Sequence, residues 1–253
     1  MGAAFPWRQK EEALRRAKSA TCLWSREQLQ PYCDLIDESI SRLGDLMPPL
    51  FGDDAGVNKW TPKEKAIRTL SAWTFGRLVG ARESALDGYL VDAVMLARAA
   101  FESLLLIIAF DIEEESDPPD SLLSGKWVAG KFVGQRAVRK FLVNNVGPEL
   151  SAIGNLYSGL SNLSHAGHIK SVLLQSDLVE RADENAYQFR LAGVRKPTDL
   201  RVVMHFIWYQ ALILLGYLPL AVPSLDTGGD IQVFANGMII KCDELQASIS
   251  HTN

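Results

Sequence analysis

Cysteine is scarce in this chain and follows no recognisable pattern. Its three cysteines, Cys22, Cys33 and Cys242, are odd in number among 253 residues and lack the CxxC spacing of a zinc site. They also fall far short of the density of a secreted disulfide scaffold, so reduced thiols are expected. A dominant charge sign is missing as well. Lys and Arg number 26 against 30 Asp and Glu, a net charge of −4. Nothing global therefore attracts a phosphate backbone or an anionic membrane, and contact with nucleic acid needs a local basic face. The N-terminal stretch PWRQKEEALRR carries charges where an export signal needs an apolar run, which makes a cytoplasmic location the expectation. A glycine-rich phosphate loop, a paired His/Glu metal motif and a nucleophile elbow are all absent. The common nucleotide-hydrolase, metalloenzyme and serine-hydrolase classes lose their support, and neither a metal nor a cofactor is expected.

Hydrophobic residues make up 47% of the chain and charged residues 22%, the balance of an ordinary globular protein with material for a sizeable core. No repeat, low-complexity tract or polar linker divides it. One helical domain over 1–253 is expected, with N-terminal helices in 1–60, a motif-bearing core in 61–222 and a C-terminal helix in 223–253. Apolar residues recur at helical spacing in nearly every long segment, which predicts an all-α single-domain bundle with at most one small β-hairpin.

The punctuation places the elements. A first helix pair is expected at 9–20 and 27–46, the second opened by Ser25 with Gln28 three residues on and closed by Pro48 and Pro49. Thr61-Pro62-Lys63-Glu64 sets an N-cap, a proline at the first helical position and a glutamate at the third, so a long helix should run over 62–86. Asp87-Gly88 is a turn dipeptide, and 89–112 should return as the second arm of a central antiparallel helix pair. After Pro118-Pro119, helices are expected at 121–145 and 148–161. A β-hairpin from 169–175 and 187–194 should flank a charged turn at 177–185. Helices over 198–218 and 230–248, separated by Gly228-Gly229, complete the chain. Residues 202–222 hold no formal charge and are long enough to cross a bilayer. His205, Gln210 and Pro219 within the run favour a core helix, with a membrane span as the alternative.

The candidate chemistry lies on two segments. Arg98 and Glu102 interrupt the apolar run VMLARAAFESLLLIIAF at spacing i, i+4, so they share a helix face. They form either a half-exposed intrahelical ion pair or the floor of a polar pocket. His165 sits among Tyr157, Ser158, Ser161, Asn162 and Ser164, and imidazole is the side chain best suited to move protons near neutral pH. It serves either as a general base or as a local hydrogen-bonding group. Tyr157, Ser161 and Asn162 are the accompanying ligand-binding candidates, whereas His168, His205 and His251 have less polar company. Lys126, Lys131, Arg136, Arg139 and Lys140 lie along the expected helix 121–145 as a nucleic-acid-binding candidate, or as an ordinary solvated face.

The helical hairpin RLVGARESALDGYLVDAVMLARAAFESLLLIIAF, followed by LYSGLSNLSHAG, resembles a family of mostly bacterial helical proteins. That family shares an Arg-x-x-x-Glu pair on a long apolar helix and a Leu-Ser-x-x-x-His segment, and it has no established activity. The resemblance singles out Arg98, Glu102, Ser161 and His165. A more distant likeness is to the HEPN superfamily of helical bundles, many of them metal-independent endoribonucleases or components of toxin and phage-defence systems. Their motif places an Arg four to six residues before a His. Here positions 158–161, which cover that spacing before His165, read Ser-Gly-Leu-Ser, so the arginine is missing and Arg98 is the cation left to serve.

Two functions follow as expectations. The first is a non-enzymatic module that binds a protein partner, its own copy or a small ligand, in a bacterial defence or toxin-like setting, with no membrane involved. The alternative is a metal-independent ribonuclease or other nucleotide-directed enzyme. It would use His165 as base, Arg98 to stabilise developing negative charge and Glu102 to orient Arg98, with RNA as partner.

Overall fold

The computed structural model describes residues 7–52, 60–112, 126–127, 131–132, 135–145, 176–180, 185–189, 197–222, 225 and 229–250. Six helices carry this part: α1 (Trp7–Phe51), α2 (Pro62–Leu86), α3 (Leu90–Ile112), α4 (Gln135–Asn145), α5 (Pro197–Ala221) and α6 (Asp230–Ser250). The architecture is all-α.

α2 begins where its capping signal lies. The Thr61 hydroxyl accepts from the Glu64 amide at 3.2 Å while the Glu64 carboxylate accepts from the Thr61 amide at 2.8 Å, which satisfies two of the helix's otherwise unpaired donors. The helix closes at Asp87-Gly88. Gly88 adopts φ 88°, a left-handed conformation that a residue with a β-carbon resists, and the chain reverses into α3. The two helices run antiparallel. Lys63 donates to the Asp111 carbonyl and Arg77 to the Ala99 carbonyl, while Gly80 faces the Leu96 side chain.

α5 lies along this pair and runs parallel to α3, because Phe206 meets Phe101 edge-on (ring centroids 5.7 Å apart) and Tyr217 reaches Asp111 at 2.7 Å. Leu200, Met204, Ile207, Trp208, Leu214, Leu215 and Leu218 of α5 are all buried. Each such side chain contributes about 1.5–3 kcal/mol by leaving water, which makes α5 the axial helix of the core. α1 packs on α5 and α2, and the buried Ser25 hydroxyl donates to the Leu86 carbonyl at 3.2 Å. α6 packs on α5 and α1 through Ile231, Ala235, Met238 and Cys242, an i, i+4, i+7, i+11 stripe. α4 lies on α3 with Val138 and Leu142 buried.

Four expectations need correction. The N-terminal helices do not separate at 21–26. Helical backbone spans Trp7–Phe51 with its one break at Leu29 (φ −129°, ψ 28°), two residues before Pro31, where the proline ring removes a donor and crowds the preceding turn. Ser25 is therefore a mid-helix residue that bonds to α2, not an N-cap. Pro48 and Pro49 do not stop the helix either. They fall in its last turns, and the end comes at Gly52, whose left-handed φ of 62° and N–H hydrogen bond to the Pro48 carbonyl (3.2 Å) close it.

Among the described residues of the helix expected over 121–145, only Gln135–Asn145 is helical. Upstream of it, β1 (Lys126–Trp127) pairs antiparallel with β2 (Lys131–Phe132). Gly125, Gly130 and Gly134 each cost a helix about 1 kcal/mol relative to alanine, while Trp127 and Phe132 favour strands. The expected later hairpin is present but displaced: β3 (Ser176–Glu180) pairs antiparallel with β4 (Asn185–Phe189), and Asp177 and Asn185 belong to the strands, not to the turn. Among the described residues there are thus two short antiparallel pairs.

Two helices, Leu90–Ile112 and Asp199–Ala221, are long and apolar enough to cross a membrane. In this structure 61% of each apolar window is buried inside the protein.

Candidate functional site

The apolar run of α3 places Arg98 and Glu102 one turn apart on one face, and they pair directly, Nε to Oε1 at 3.1 Å. Their side chains remain 24% and 27% exposed. The pair therefore lies at the edge of the bundle, between the solvated stripe marked by Asp92 and Met95 and the buried stripe marked by Ala97, Phe101 and Leu105. Arg77 of α2 approaches the same helix nearby. It donates to the Ala99 carbonyl at 3.0 Å and to the Ser103 hydroxyl, and its guanidinium lies 5.5 Å from the centre of the Trp73 ring. The α2–α3 face thus carries two guanidiniums, one carboxylate and an exposed indole.

The remaining candidates meet the structure unevenly. Tyr157, Ser161, Asn162 and His165 lie outside the described residues. The single basic helix expected from Lys126 to Lys140 is not formed, since Lys126 and Lys131 fall on β1 and β2 while Arg136, Arg139 and Lys140 fall on α4. On α4, Arg139 is half-buried and Lys140 is exposed. Among the described residues, no three of His, Cys, Asp and Glu converge as metal ligands.

Polar contacts that sequence reasoning missed hold the helices together. Asp37 of α1 accepts two hydrogen bonds from Arg82 of α2, each 2.7 Å, and one from Arg26 at 3.4 Å. At the far end of α3, Asp111 accepts from the Tyr217 hydroxyl, and burial together with this hydrogen bond pushes the phenol well above its usual range. Arg68, buried in α2, donates to the Leu50 carbonyl and lies 4.3 Å from the centre of the Trp60 ring. His205 of α5 faces Cys242 of α6, Nδ1 to Sγ 3.9 Å, and burial lowers the imidazole pKa, so the ring is held neutral beside a thiol. Burial also raises the Cys33 thiol to about 11, and none of the three cysteines is in a disulfide. A buried thiol of that kind is a poor nucleophile.

The most informative missed feature is apolar. Trp73 is 56% exposed and Met95 is 51% exposed on the α2–α3 face, and Val202, Leu220, Val233 and Ile240 are open along α5 and α6. Trp73 was legible in principle, because it falls at helical spacing with Thr69, Gly76 and Gly80 on the polar side of α2. Comparison with protein-family models, with curated proteins and with solved structures gave no match for this chain.

Proposed function

We propose that the chain is a non-enzymatic helical interaction module whose outer helix faces hold a protein partner. The observation that carries this reading is the apolar surface left in water. Val202 (63% exposed) and Leu220 (71%) open from α5, and Val233 (73%) and Ile240 (59%) open from the side of α6 opposite its buried stripe. Scattered apolar residues are normal on a protein surface, but repetition along one helix face marks a contact surface. Val233 and Ile240 are seven residues apart, two turns on one line. A soluble cytoplasmic protein is part of the proposal, because α3 and α5 spend most of their apolar surface on each other and on the remaining helices.

The pairing of Arg98 with Glu102 supports the same reading. Each charge has a neighbour of opposite sign at hydrogen-bond distance, and the pair sits on a surface from which water is not excluded.

The test is cleavage of labelled single-stranded RNA in the presence of chelator, comparing wild type with His165→Ala. No cleavage by either is expected. Cleavage by the wild type that disappears in the variant would replace the module with a metal-independent nuclease, since loss of a general base lowers rates by roughly 10²–10⁴-fold.

A further inference from the structure

The outer side of α2 presents a pattern that its own fold does not use. Lys65, Thr69, Trp73, Gly76 and Glu83 are exposed and Gly80 is half-buried. At 100° per residue these six positions lie within a single stripe about 80° wide, and Lys65 and Glu83, five full turns apart, share one azimuth roughly 27 Å from each other. Neither of these two charges has an ion-pair partner among the described residues. The stripe is therefore positive at its start, negative at its end, and carries an exposed indole between.

Such a charge order is complementary to itself when reversed. Lys65 and Glu83 are symmetric about position 74, so a twofold axis there sets an antiparallel copy with Lys65 of each chain opposite Glu83 of the other. The same axis also places the indole. A helical side chain covers the turn N-terminal to its own Cα, so the Trp73 ring lies at about the level of residues 70–72, which the axis maps to about 76–78 of the copy. That level falls between Gly76 and Gly80. A β-carbon added at Gly76 would meet nothing within 4 Å, and at Gly80 only the Leu96 methyl at 3.4 Å, so the copy offers a notch where the ring arrives. Charge register and shape register agree although different residues set them.

The indole is also held ready. Arg77, fixed by the Ala99 carbonyl and the Ser103 hydroxyl, lies against its face and limits the rotamer freedom that binding would otherwise remove. We infer that the α2 face is a self-association surface, occupied by α2 of a second copy of this chain in an antiparallel twofold arrangement with Trp73 seated between Gly76 and Gly80. This inference rests on the interaction-module reading and names a partner for its α2 face.

Sedimentation velocity of the full chain across roughly 1–100 μM, the range in which modest interfaces associate, tests it. A concentration-dependent dimer is expected for the wild type, and Trp73→Ala should weaken it about tenfold or more, as removal of a central aromatic anchor does. Lys65→Glu and Glu83→Lys should each weaken the dimer, and the double variant should restore it. Each single change favours the α2 dipole, with an acid in the first turns and a base in the last, so helix weakening does not explain a loss. Far-ultraviolet circular dichroism confirms that each variant is folded. A wild type that stays monomeric throughout, a dimer indifferent to Trp73→Ala, or a double variant no better than the singles overturns the inference. All three leave the module reading in place, which stands or falls on the RNA experiment.

Discussion

Arg82 grips Asp37 with two parallel hydrogen bonds of 2.7 Å and so ties α2 to the second half of α1. The Arg82 side chain is 19% exposed and that of Asp37 is 34% exposed. The fork geometry matches guanidinium to carboxylate, which makes the pair stronger than a surface contact, while its partial exposure keeps it weaker than a buried one. Arg82→Ala should lower unfolding stability by about 1–3 kcal/mol in urea titrations. Arg82→Lys should recover only part of that, because an ammonium does not bind both oxygens in this way. A loss below about 0.5 kcal/mol for the alanine variant would show that Arg26 alone satisfies Asp37.

The Arg98–Glu102 pair should behave differently. Both side chains are about a quarter exposed and belong to one helix, so their coupling in a double-mutant cycle with alanine should be about 0.3–1 kcal/mol. A closed pocket would make it several times larger, since a stranded buried charge costs about 3–5 kcal/mol. Thermal or urea unfolding of the four proteins measures it, and a coupling above about 2 kcal/mol would move this pair from the bundle's edge to its interior.

The sequence revealed those parts of the fold whose signals are local. Thr61, Pro62 and Glu64 fix the start of α2, and Asp87-Gly88 fixes its end, because caps and turns are decided within four residues. Ser25 and Gln28 imitate a cap, which hides the break in α1 at Leu29. The Ser25 hydroxyl is taken instead by the Leu86 carbonyl, 61 residues away, a long-range partner that no window discloses. Arg98 and Glu102 were legible as a pair from spacing alone. Their depth was not, because it depends on what α2 and the rest of the chain lay over α3. The exposure of Trp73 belongs to the same class: periodicity gives its azimuth, and only packing says that more than half of it stays open to water.

Tyr217 gives the chain an alkaline limit. Burial and the bond to Asp111 raise the phenol above its ordinary value of 10.0. Between that value and the folded-state pKa the unfolded chain has lost a proton that the folded chain keeps, so stability is fully present below about pH 10 and falls as pH rises further. Tyr217→Phe should flatten the decline in stability between pH 9.5 and 11. Equal slopes for wild type and variant in pH-dependent urea unfolding would contradict the assignment.

The cysteines should react in the order of their burial. Cys33 is fully buried, and its thiol is raised from 9.0 to about 11, whereas Cys22 is half-exposed on the first part of α1. Iodoacetamide at pH 8 under native conditions should label Cys22 first and leave Cys33 unmodified until urea opens the fold, because alkylation requires an accessible thiolate. Mass spectrometry of the digested protein reads the order directly. Early labelling of Cys33 would mean that α1 separates from the bundle well below the global unfolding free energy.

Gln210 is one place where the core breaks its own rule. The side chain is fully buried, and neither its amide nitrogen nor its amide oxygen has a hydrogen-bond partner among the described residues. It lies on the face of α5 that carries Phe206 one turn before it and Tyr217 two turns after it, the residues that meet Phe101 and Asp111 of α3. An amide left without partners there forfeits about 1–3 kcal/mol relative to water, and an apolar side chain of the same shape removes that cost. Methionine is nearly isosteric and unbranched, so Gln210→Met should leave urea stability unchanged or raise it by about 1–2 kcal/mol. Gln210→Ala deletes the same amide but opens a cavity, so it should lower stability by about 1–3 kcal/mol. The two variants separate polarity from volume. If Gln210→Met instead cost more than about 2 kcal/mol, the amide would have to be bonded in solution, and the α3–α5 seam would contain an ordered polar partner such as a buried water.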